Sequence, residues 1–530
     1  MPVRSTAPRP SAELLTPLPD LPIVEILDEL RAALTATTRV VVAAPPGAGK
    51  TTVVPLALLD EPWLGDGRIV VLEPRRLATR AAARRMADLT RTSVGGLVGY
   101  QTRDERHIGR DTRIEVVTEG VLTRRLQQDP ELPGVGLVVF DEVHERNLTT
   151  DLGLALTLDA AATLRPDLRI LAMSATADTA LFARLLATAG GPAPIVESAG
   201  RMFPVDVRWL PRGRDERIEP ATVSAVRRAL AEEAGDVLVF LPGIGEISRV
   251  ADALASAVGP AVDVHRLAGA LALEEQDRAL APSPPGRRRV VLSTDISETS
   301  LTVDGVRLVV DSGLARAPRF DVGTGMTRLT TVSISRDSAD QRAGRAGRVA
   351  PGVAYRLWSK VEQGTRPAHR AAEITQVDLA GLVLELAAWG TPPEQLSFID
   401  KPPAKARRQA DELLTALGAL DADGTITALG RRMIGLPVHP RLARMIVGRP
   451  DALSCVVAAV VDERDVLRTQ RDRAPADLAI RVRLVCGLGG DERADRRAVS
   501  RVRDRAADIA HRAGIRFDTG SVDPDDAGAA

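Results

Sequence analysis

The sequence predicts an α/β protein with two tandem, doubly wound parallel-sheet domains, followed by a winged-helix module and a helical domain. Three observations lead to this fold class. Short runs of Val, Ile and Leu alternate with helical segments, and polar segments follow the carboxyl ends of the strands. The same alternation starts again near residue 200. Strand signals nearly vanish beyond Glu362, where Leu-, Ala- and Arg-rich helical patterns take over.

The length of 530 residues is too great for one hydrophobic core. We expect six segments: a flexible lead-in at 1–19, a first sheet domain at 20–199, a second at 200–362, a winged-helix module at 363–430, a helical domain at 431–516 and a disordered tail at 517–530.

The charge balance excludes a basic field over the whole molecule, because Lys+Arg and Asp+Glu number 70 each. Any nucleic acid must therefore meet a local basic lining. The two cysteines, Cys455 and Cys486, have no metal-ligand spacing and form no disulfide framework. No apolar run is long enough to span a membrane, so the sequence indicates a cytoplasmic protein without a membrane partner.

The first strand is followed by a glycine-rich turn and a helix start, which is the context of a phosphate-binding loop. Backbone N–H groups and the helix dipole would hold the phosphates. Lys50 would contact the β- and γ-phosphates, and it is one of only four lysines in the chain. The first glycine of the usual pattern is Ala44, at the strand end. The residues assigned to nucleotide binding are Pro46, Gly47, Ala48, Gly49, Lys50, Thr51 and Thr52.

The other elements follow in order along the two predicted sheets. A helix over Leu21–Leu34 precedes the loop, and helical patterns separate the strands. The strands of the first sheet are predicted at Arg68–Leu72, Arg113–Val117, Leu137–Phe140 and Leu168–Met173, and those of the second at Asp236–Leu241, Arg289–Leu292 and Val306–Val310. Beyond them, helices are predicted at Val377–Trp389 and Ala404–Leu417, with a small hairpin at Gly418–Leu429.

An acidic pair follows the strand Leu137–Phe140. A strand neighbouring the loop strand delivers an acidic residue to Mg²⁺ in phosphate-loop enzymes. We therefore assign Asp141, with the Thr51 hydroxyl, to Mg²⁺, and Glu142 to orienting and deprotonating the attacking water. An exposed acidic strand end is the plain alternative, but it does not explain the cluster of His144, Glu145 and Arg146 that follows.

A second cluster, Gln341–Arg348, carries arginines three residues apart between small residues. We interpret Arg345 and Arg348 as arginine fingers that reach the γ-phosphate from the second domain. A solvated basic helix is the alternative, and the glycine spacing argues against it.

Together these segments resemble the superfamily 2 helicases of the DEAH/RHA group. The likeness covers about 20–360 and continues more weakly to about 480. The pieces that carry it, in the order of that group, are Gly47–Thr52, Glu73–Arg76, Thr118–Gly120, Asp141–Arg146, Ser174–Thr176, Ser293–Thr302 and Gln341–Arg348. The resemblance implies RecA-like sheet domains and an ATP-dependent RNA helicase or translocase that tracks 3′→5′. It implies ATP and Mg²⁺ as ligands and single-stranded RNA, or an RNA duplex with an overhang, as the partner.

The resemblance also assigns roles to single residues. Nucleic-acid backbone contacts fall on Arg75, Arg76, Thr118 and Thr294, and coupling of hydrolysis to movement falls on Ser174, Thr176, Thr302 and Asp304. The alternative for each is an ordinary strand end or helix cap. His144 either bridges to Gln341, which belongs to the catalytic set, or is a structural histidine. Arg316–Thr331 matches a hairpin that helps to separate strands in that group.

Two departures from the group's pattern keep alternatives open. Arg85 matches an arginine that stacks on the base, but its aromatic partner is replaced by Leu280, so NTPs other than ATP are plausible. Members of the group continue through an oligonucleotide-binding fold, whereas this chain stops in or just after the helical domain. A nucleotide-gated RNA clamp without unwinding activity, or a translocase on DNA, therefore remains an alternative.

Overall fold

The computed structural model describes residues 20–103, 105–175, 179–200, 203–213, 215–298, 303–321, 325–468 and 475–528. The chain forms two compact units. The N-terminal unit contains Met1–Val377 and Ser397–Asp400, and the C-terminal unit contains Asp378–Leu396 and Lys401–Ala530. Within the described ranges, no helix has the length and apolar character needed to cross a membrane.

The first half of the N-terminal unit is an eight-stranded sheet with the order β4-β3-β5-β2-β6-β7-β1-β8. All neighbours are parallel except the pair β3 and β4. The strands are β1 Arg39–Ala43, β2 Arg68–Leu72, β3 Val98–Gln101, β4 Arg106–His107, β5 Ile114–Val117, β6 Val135–Phe140, β7 Arg169–Ser174 and β8 Ile195–Glu197. The helices are α1 Leu27–Ala36, α2 Lys50–Ala57, α3 Arg76–Leu89, α4 Glu119–Gln128, α5 Leu148–Thr163 and α6 Thr179–Leu185.

Burial explains why the central strands are continuous apolar runs. Val40, Val41 and Val42 of β1 are fully buried because helices cover both faces of the sheet. In front of α1, residues Pro22–Ile26 form a 3₁₀-helix, which shortens the predicted Leu21–Leu34 helix at its start.

The strand order corrects one expectation. β6, which carries the acidic pair, does not neighbour β1, because β7 lies between them. Ala43 of β1 pairs with Ser174 of β7, so the carboxyl ends of these strands still meet at one edge. Side chains can therefore meet across the end of β7, where Ser174 is small.

The second half of the N-terminal unit is a six-stranded parallel sheet with the order β11-β12-β10-β13-β16-β9. An antiparallel hairpin of β14 and β15 lies outside it. The strands are β9 Val205–Trp209, β10 Asp236–Phe240, β11 Val262–Leu267, β12 Arg288–Ser293, β13 Val306–Asp311, β14 Leu314–Asp321, β15 Met326–Ser333 and β16 Gly352–Arg356. The helices are α7 Ile218–Glu232, α8 Ile244–Ala257, α9 Leu273–Leu280, α10 Arg336–Gly344 and α11 Lys360–Thr365.

One apolar cluster joins the two sheets. Leu77 and Ala78 of α3 pack in the same buried cluster as Val309 of β13 and Ala343 and Ala346, which lie at and beyond the end of α10. This contact brings the carboxyl edge of the first sheet to the segment that carries the predicted arginine fingers.

The C-terminal unit is helical. Its helices are α12 Ala380–Trp389, α13 Ala404–Ala416, α14 Ala428–Ile434, α15 Pro440–Gly448, α16 Ala452–Asp462, α17 Leu478–Cys486 and α18 Arg496–Ala513. The hairpin predicted at Gly418–Leu429 is reduced to one bridge, Leu420 to Ile426, before α14 begins. Residues 363–377, predicted as part of the winged-helix module, belong to the N-terminal unit.

The tail corrects a second expectation. The prediction that 517–530 is disordered is wrong for 517–528, which form the 3₁₀-helices Thr519–Ser521 and Pro524–Gly528. Val522 and Ala527 are buried, and Asp525 forms an ion pair with Arg483. Its Gly/Asp/Ala-rich composition hid these two apolar anchors.

Candidate active site

The loop between β1 and α2 has the backbone geometry of an anion-binding turn. Gly47 and Gly49 have φ of +86° and +98°, and Gly49 precedes the first residue of the helix. Glycine adopts this left-handed region without a steric penalty. Lys50 is buried at the start of α2, and its Nζ donates to the carbonyl oxygen of Ala44 at 2.6 Å. Pro46, Ala48, Thr51 and Thr52 lie in the same segment.

Ala44 is compatible with this loop although the usual pattern has glycine there. The residue is buried, and its N–H donates to the carbonyl oxygen of Ser174 at 3.1 Å. Ala44 thus continues the strand pairing while its own carbonyl receives Lys50.

The acidic pair meets the loop helix across the end of β7. The hydroxyl of Thr51 donates to Oδ2 of Asp141, whose Oδ1 accepts the backbone N–H of Glu142 at 2.8 Å. A hydroxyl and one carboxylate side by side suit Mg²⁺, which takes few protein ligands and completes its shell with phosphate oxygens and water. The described ranges hold no cluster of three or more His, Cys, Asp or Glu side chains that would bind a metal by itself.

The two carboxylates have opposite electrostatics. Burial, with the nearby Glu142 charge, raises the pKa of Asp141 to about 7. Burial also acts to raise the pKa of Glu142, but the charges of Lys50, His144 and Arg345 outweigh it and lower that pKa. Glu142 Oε2 is buried and has no hydrogen-bond partner among the described residues. An ionised carboxylate with an open oxygen is suited to accept a proton from water.

His144 lies beside this carboxylate. Its Nδ1 accepts the backbone N–H of Ala175 at 3.2 Å and lies 3.5 Å from Glu142 Oε2. Burial lowers its pKa, and the charges of Glu142 and Glu145 oppose this shift. Nε2 is buried without a hydrogen-bond partner in the described part of the chain. His144 and Gln341 line one cavity, and a bridge between them stays a prediction.

The arginines of the second sheet reach the site. The Arg348 guanidinium carbon lies 3.4 Å from the point where a Cβ on Gly47 would be, so it rests on the phosphate loop. Arg345 is buried in the 3₁₀-turn Arg345–Gly347, and its Nε donates to the carbonyl oxygen of Glu298 at 2.8 Å. Burial lowers the pKa of both arginines, of Arg348 to about 10, and the charge of Glu142 opposes this in each case.

Arg342 has a different role, which the sequence did not reveal. Its fully buried guanidinium donates to Glu298 Oε2 at 2.8 Å and to Asp311 Oδ1 at 3.0 Å, and lies 4.8 Å from the Phe240 ring centroid. It fixes the end of α10 from which the other two arginines extend. Asp311 is the last residue of β13, and Glu298 follows the 3₁₀-turn Asp295–Ser297 beyond β12. Their placement near strand ends was the available signal in the sequence.

The four residues assigned to nucleic acid are placed differently. Arg75 forms an ion pair with Glu145 at 2.9 Å and donates to the carbonyl oxygen of Asp295, so it links the two sheets internally. Burial acts to lower its pKa, but Glu145 and Asp295 outweigh it and raise that pKa. Arg76 is exposed, and Thr118 and Thr294 are half-buried before α4 and the 3₁₀-turn Asp295–Ser297.

The remaining assigned residues are scattered. Ser174 is buried at the end of β7, and Asp304 is exposed but close enough to influence the pKa of Arg348. Thr176 and Thr302 lie outside the described residues. Arg85 is exposed on α3, and its neighbour Arg84 lies 3.8 Å from Asp277 of α9, the helix that ends at Leu280.

Comparisons with family models identify three matching regions. Residues 27–182 match the DEAD/DEAH box helicase model, and residues 221–350 match the helicase conserved C-terminal domain. Residues 412–438 match the winged-helix helicase associated domain (HA2).

The three relatives that follow are all named as ATP-dependent RNA helicases. The chain is 47% identical to the ATP-dependent RNA helicase HrpB of Escherichia coli (strain K12), over 84% of this chain and 55% of the relative. It is 35% identical to the ATP-dependent RNA helicase HrpA homolog of Haemophilus influenzae, over 81% of this chain and 33% of that protein. It is also 35% identical to the human protein named probable ATP-dependent RNA helicase DHX34, over 81% and 38%. The chain thus spans about half the length, or less, of these relatives.

A solved structure shares the fold. The crystal structure of the Escherichia coli DEAH/RHA helicase HrpB superposes with a TM-score of 0.84 at 43% identity, covering 94% of this chain and 61% of that one. This match confirms the predicted fold class of two parallel-sheet domains, a winged-helix region and a helical region.

Proposed function

This chain belongs to the DEAH/RHA group of the DEAD/DEAH box helicases, and we propose that it is a nucleoside triphosphatase with ATP as its main substrate. We propose that hydrolysis drives its movement 3′→5′ along single-stranded RNA. One observation carries the proposal furthest. Arg348 of the second sheet rests on Gly47 of the first, so one phosphate site draws residues from both domains.

Nucleotide binding is assigned to the loop and the start of α2. The N–H groups of Pro46–Thr52, proline excepted, and the α2 dipole would hold the phosphates, and Lys50 would exchange its contact with Ala44 for the β- and γ-phosphates. Thr51 and Asp141 would hold Mg²⁺, which supplies positive charge beside those phosphates. Arg85 would face the base, and with Leu280 offering no aromatic ring, other NTPs would also serve.

Hydrolysis is assigned to residues of both sheets. Glu142 would orient the attacking water and accept its proton, since its pKa is lowered and one carboxylate oxygen is open. Arg345 and Arg348 would neutralise charge that develops on the γ-phosphate, with Gln341 at the edge of the same cleft. The developing charge would meet donors that are already in place.

Movement along RNA would follow from opening and closing of the two sheets. Loss of the γ-phosphate would remove the anion that the arginines contact across the cleft. Ser174, Thr176, Thr302, Asp304 and His144 are assigned to this coupling. Arg76, Thr118 and Thr294 would contact the RNA backbone. Arg75 would act there only after releasing Glu145.

A hydrolysis assay with ATP, with and without single-stranded RNA or DNA, tests the proposal. We expect RNA-stimulated turnover in the parent and its loss in Lys50→Ala and Glu142→Gln. Lys360→Ala is a matched control, because Lys360 is an exposed lysine at the start of α11. Turnover that survives Glu142→Gln would remove the general-base assignment.

A strand-displacement assay separates the alternatives. An RNA duplex with a 3′ overhang should be unwound on ATP addition. Retention of RNA without product release would favour a nucleotide-gated clamp. Equal stimulation and displacement with DNA would favour a DNA-tracking enzyme, since only contacts to the 2′-hydroxyl distinguish the two nucleic acids.

A further inference from the structure

The loop that begins with the acidic pair ends at Arg146, whose contacts lie outside the nucleotide site. Its Nη2 donates to Asp400 Oδ2 at 2.7 Å and to Asp151 Oδ2 at 3.1 Å. Asp151 belongs to α5, directly after the loop, whereas Asp400 lies 254 residues further along the chain. The Arg146 side chain is only 12% exposed, and the contact with Asp151, whose side chain is 5% exposed, is shielded from water.

The backbone of this loop is held at the same place. The carbonyl oxygen of Arg146 accepts the N–H of Glu373 at 3.0 Å, and Glu373 Oε2 accepts the N–H of Leu148 at 2.8 Å. Glu142 and Arg146 have φ of +50° and +55°, on either side of the 3₁₀-turn Val143–Glu145. A non-glycine residue in this region costs about 1–2 kcal/mol, so these contacts hold the loop in a conformation that it would otherwise leave.

The two partner segments have a special position in the chain. Glu373 precedes Val377, the last residue before the C-terminal unit, and Asp400 is followed by Lys401 of that unit. Leu396 of the C-terminal unit is followed by Ser397, which begins the segment that Asp400 ends. Every covalent connection between the two compact units therefore passes beside a segment that binds Arg146 or its loop.

The contact with Asp400 can open without disturbing the core. The Asp400 side chain is 46% exposed, whereas that of Asp151 is 5% exposed. Arg146 would keep its buried partner if the segment 397–400 moved away. An ion pair with one fixed and one movable partner provides two discrete states of the loop that carries Glu142.

We propose that Arg146 is a positioning residue that couples the chain segments leading to the C-terminal unit, at Glu373 and at 397–400, to the Glu142 loop. This inference rests on the proposed function and adds a mechanism by which nucleic acid regulates the hydrolysis. Displacement of the segment 397–400 or of Glu373 changes the hold on Arg146 and thereby the placement of Glu142. Stimulation by nucleic acid depends on this hold, whereas unstimulated turnover does not.

The test compares hydrolysis with saturating single-stranded RNA and without it, for the parent, Asp400→Asn and Arg146→Gln. We expect the stimulation ratio to fall by about fivefold or more in both variants, the lower end of allosteric coupling, with unstimulated kcat within about twofold of the parent. The double variant should match Arg146→Gln, because that substitution already removes the contact between Arg146 and Asp400. Asp400→Asn keeps the buried pair of Arg146 and Asp151, so it is the variant with the smaller risk of misfolding.

Arg165→Gln is the matched control. Arg165 is a partly buried arginine of the same domain, 19% exposed, which pairs with Asp167 at 2.8 Å and donates to the carbonyl oxygen of Val135. Its substitution should leave the stimulation ratio unchanged.

Three results would overturn the inference. A parental stimulation ratio in Asp400→Asn and Arg146→Gln would show that the contact transmits nothing. A parallel fall in stimulated and unstimulated turnover, with an unchanged ratio, would mean that Arg146 has only a structural role. A parent chain that hydrolyses no NTP would overturn the proposed function, and with it this inference, so the two failures are distinguishable.

Discussion

The two sheets of the N-terminal unit follow one plan but supply different charged groups to the candidate site. The first sheet ends in the buried carboxylates Asp141 and Glu142, with Lys50 as the cation beside them. The second contributes Arg345 and Arg348 from the turn after α10. Neither set is complete alone, because an NTPase needs both a base for water and cations for the phosphates.

Burial shifts the pKa values of ionisable groups in both sheets. Burial raises the pKa of Asp141 to about 7 and lowers that of Arg348 to about 10, so each sheet holds charge that its own environment disfavours. Glu142 is the exception, since Lys50 and His144 of its own sheet and Arg345 of the other outweigh the effect of burial on its pKa. Contact between the sheets therefore favours the charged form of Glu142, through Arg345, although burial disfavours the charged forms of Asp141 and Arg348.

The largest predicted effect distinguishes a structural arginine of the second sheet, Arg342, from a proposed catalytic one, Arg345. Arg342→Ala leaves Glu298 and Asp311 buried without their cation, and we expect a loss of about 3–5 kcal/mol in the free energy of unfolding. Arg345→Ala removes a buried charge whose pKa is lowered, so the nucleotide-free protein should keep its stability. Thermal unfolding of both variants measures this difference. Equal destabilisation would mean that Arg345 is structural too.

A smaller effect tests the contact between the sheets at the loop. Gly47→Ala places a methyl group against the Arg348 guanidinium, and we expect kcat/KM to fall by about 10–100-fold through misplacement of that group. Gly65→Ala is the matched control, because Gly65 also has a positive φ, +53°, with no atom within 4 Å of the added Cβ. A similar loss in both variants would attribute the effect to backbone strain alone.

The smallest effect concerns Glu119 at the start of α4, on the first sheet. Burial raises its pKa to about 7, against the hydrogen bonds from Thr149 and Thr150. A raised pKa in the folded state means that stability falls as pH rises from the unfolded value toward 7. Glu119→Gln should therefore raise the melting temperature at pH 8, by about 2 °C or more, and the gain should shrink at pH 5.5. A gain that is constant with pH would contradict the assignment.

Much of the fold was predictable because the central strands are buried on both faces. The strand predicted at Arg68–Leu72 has these same bounds in the structure, and the strand predicted at Val306–Val310 is one residue longer, Val306–Asp311. Both are mainly apolar. Two edge strands were missed because they lack such a continuous, fully buried apolar run. Ile195–Glu197 is short, and Val262–Leu267 alternates polar and apolar residues because one side is less covered.

The candidate site was also predictable only in part. Residues adjacent in sequence, such as Gly47–Thr51 or Asp141–Glu142, have backbone chemistry that can be read directly. Contacts between distant segments cannot: Glu298 holding Arg342, or Asp400 holding Arg146, depends on strand order and chain crossings. The interposition of β7 between β1 and β6 is of this kind, since sequence order does not reveal spatial order.

The most direct test of the shared site is the turnover of Arg348→Ala, measured together with its dissociation constant for ATP. If the second sheet completes the site, kcat falls by about 10³-fold or more, because an arginine finger acts on the transition state. The dissociation constant should change by less than about tenfold, since Lys50 and the loop still hold the phosphates. Parental kcat in Arg348→Ala would contradict the account.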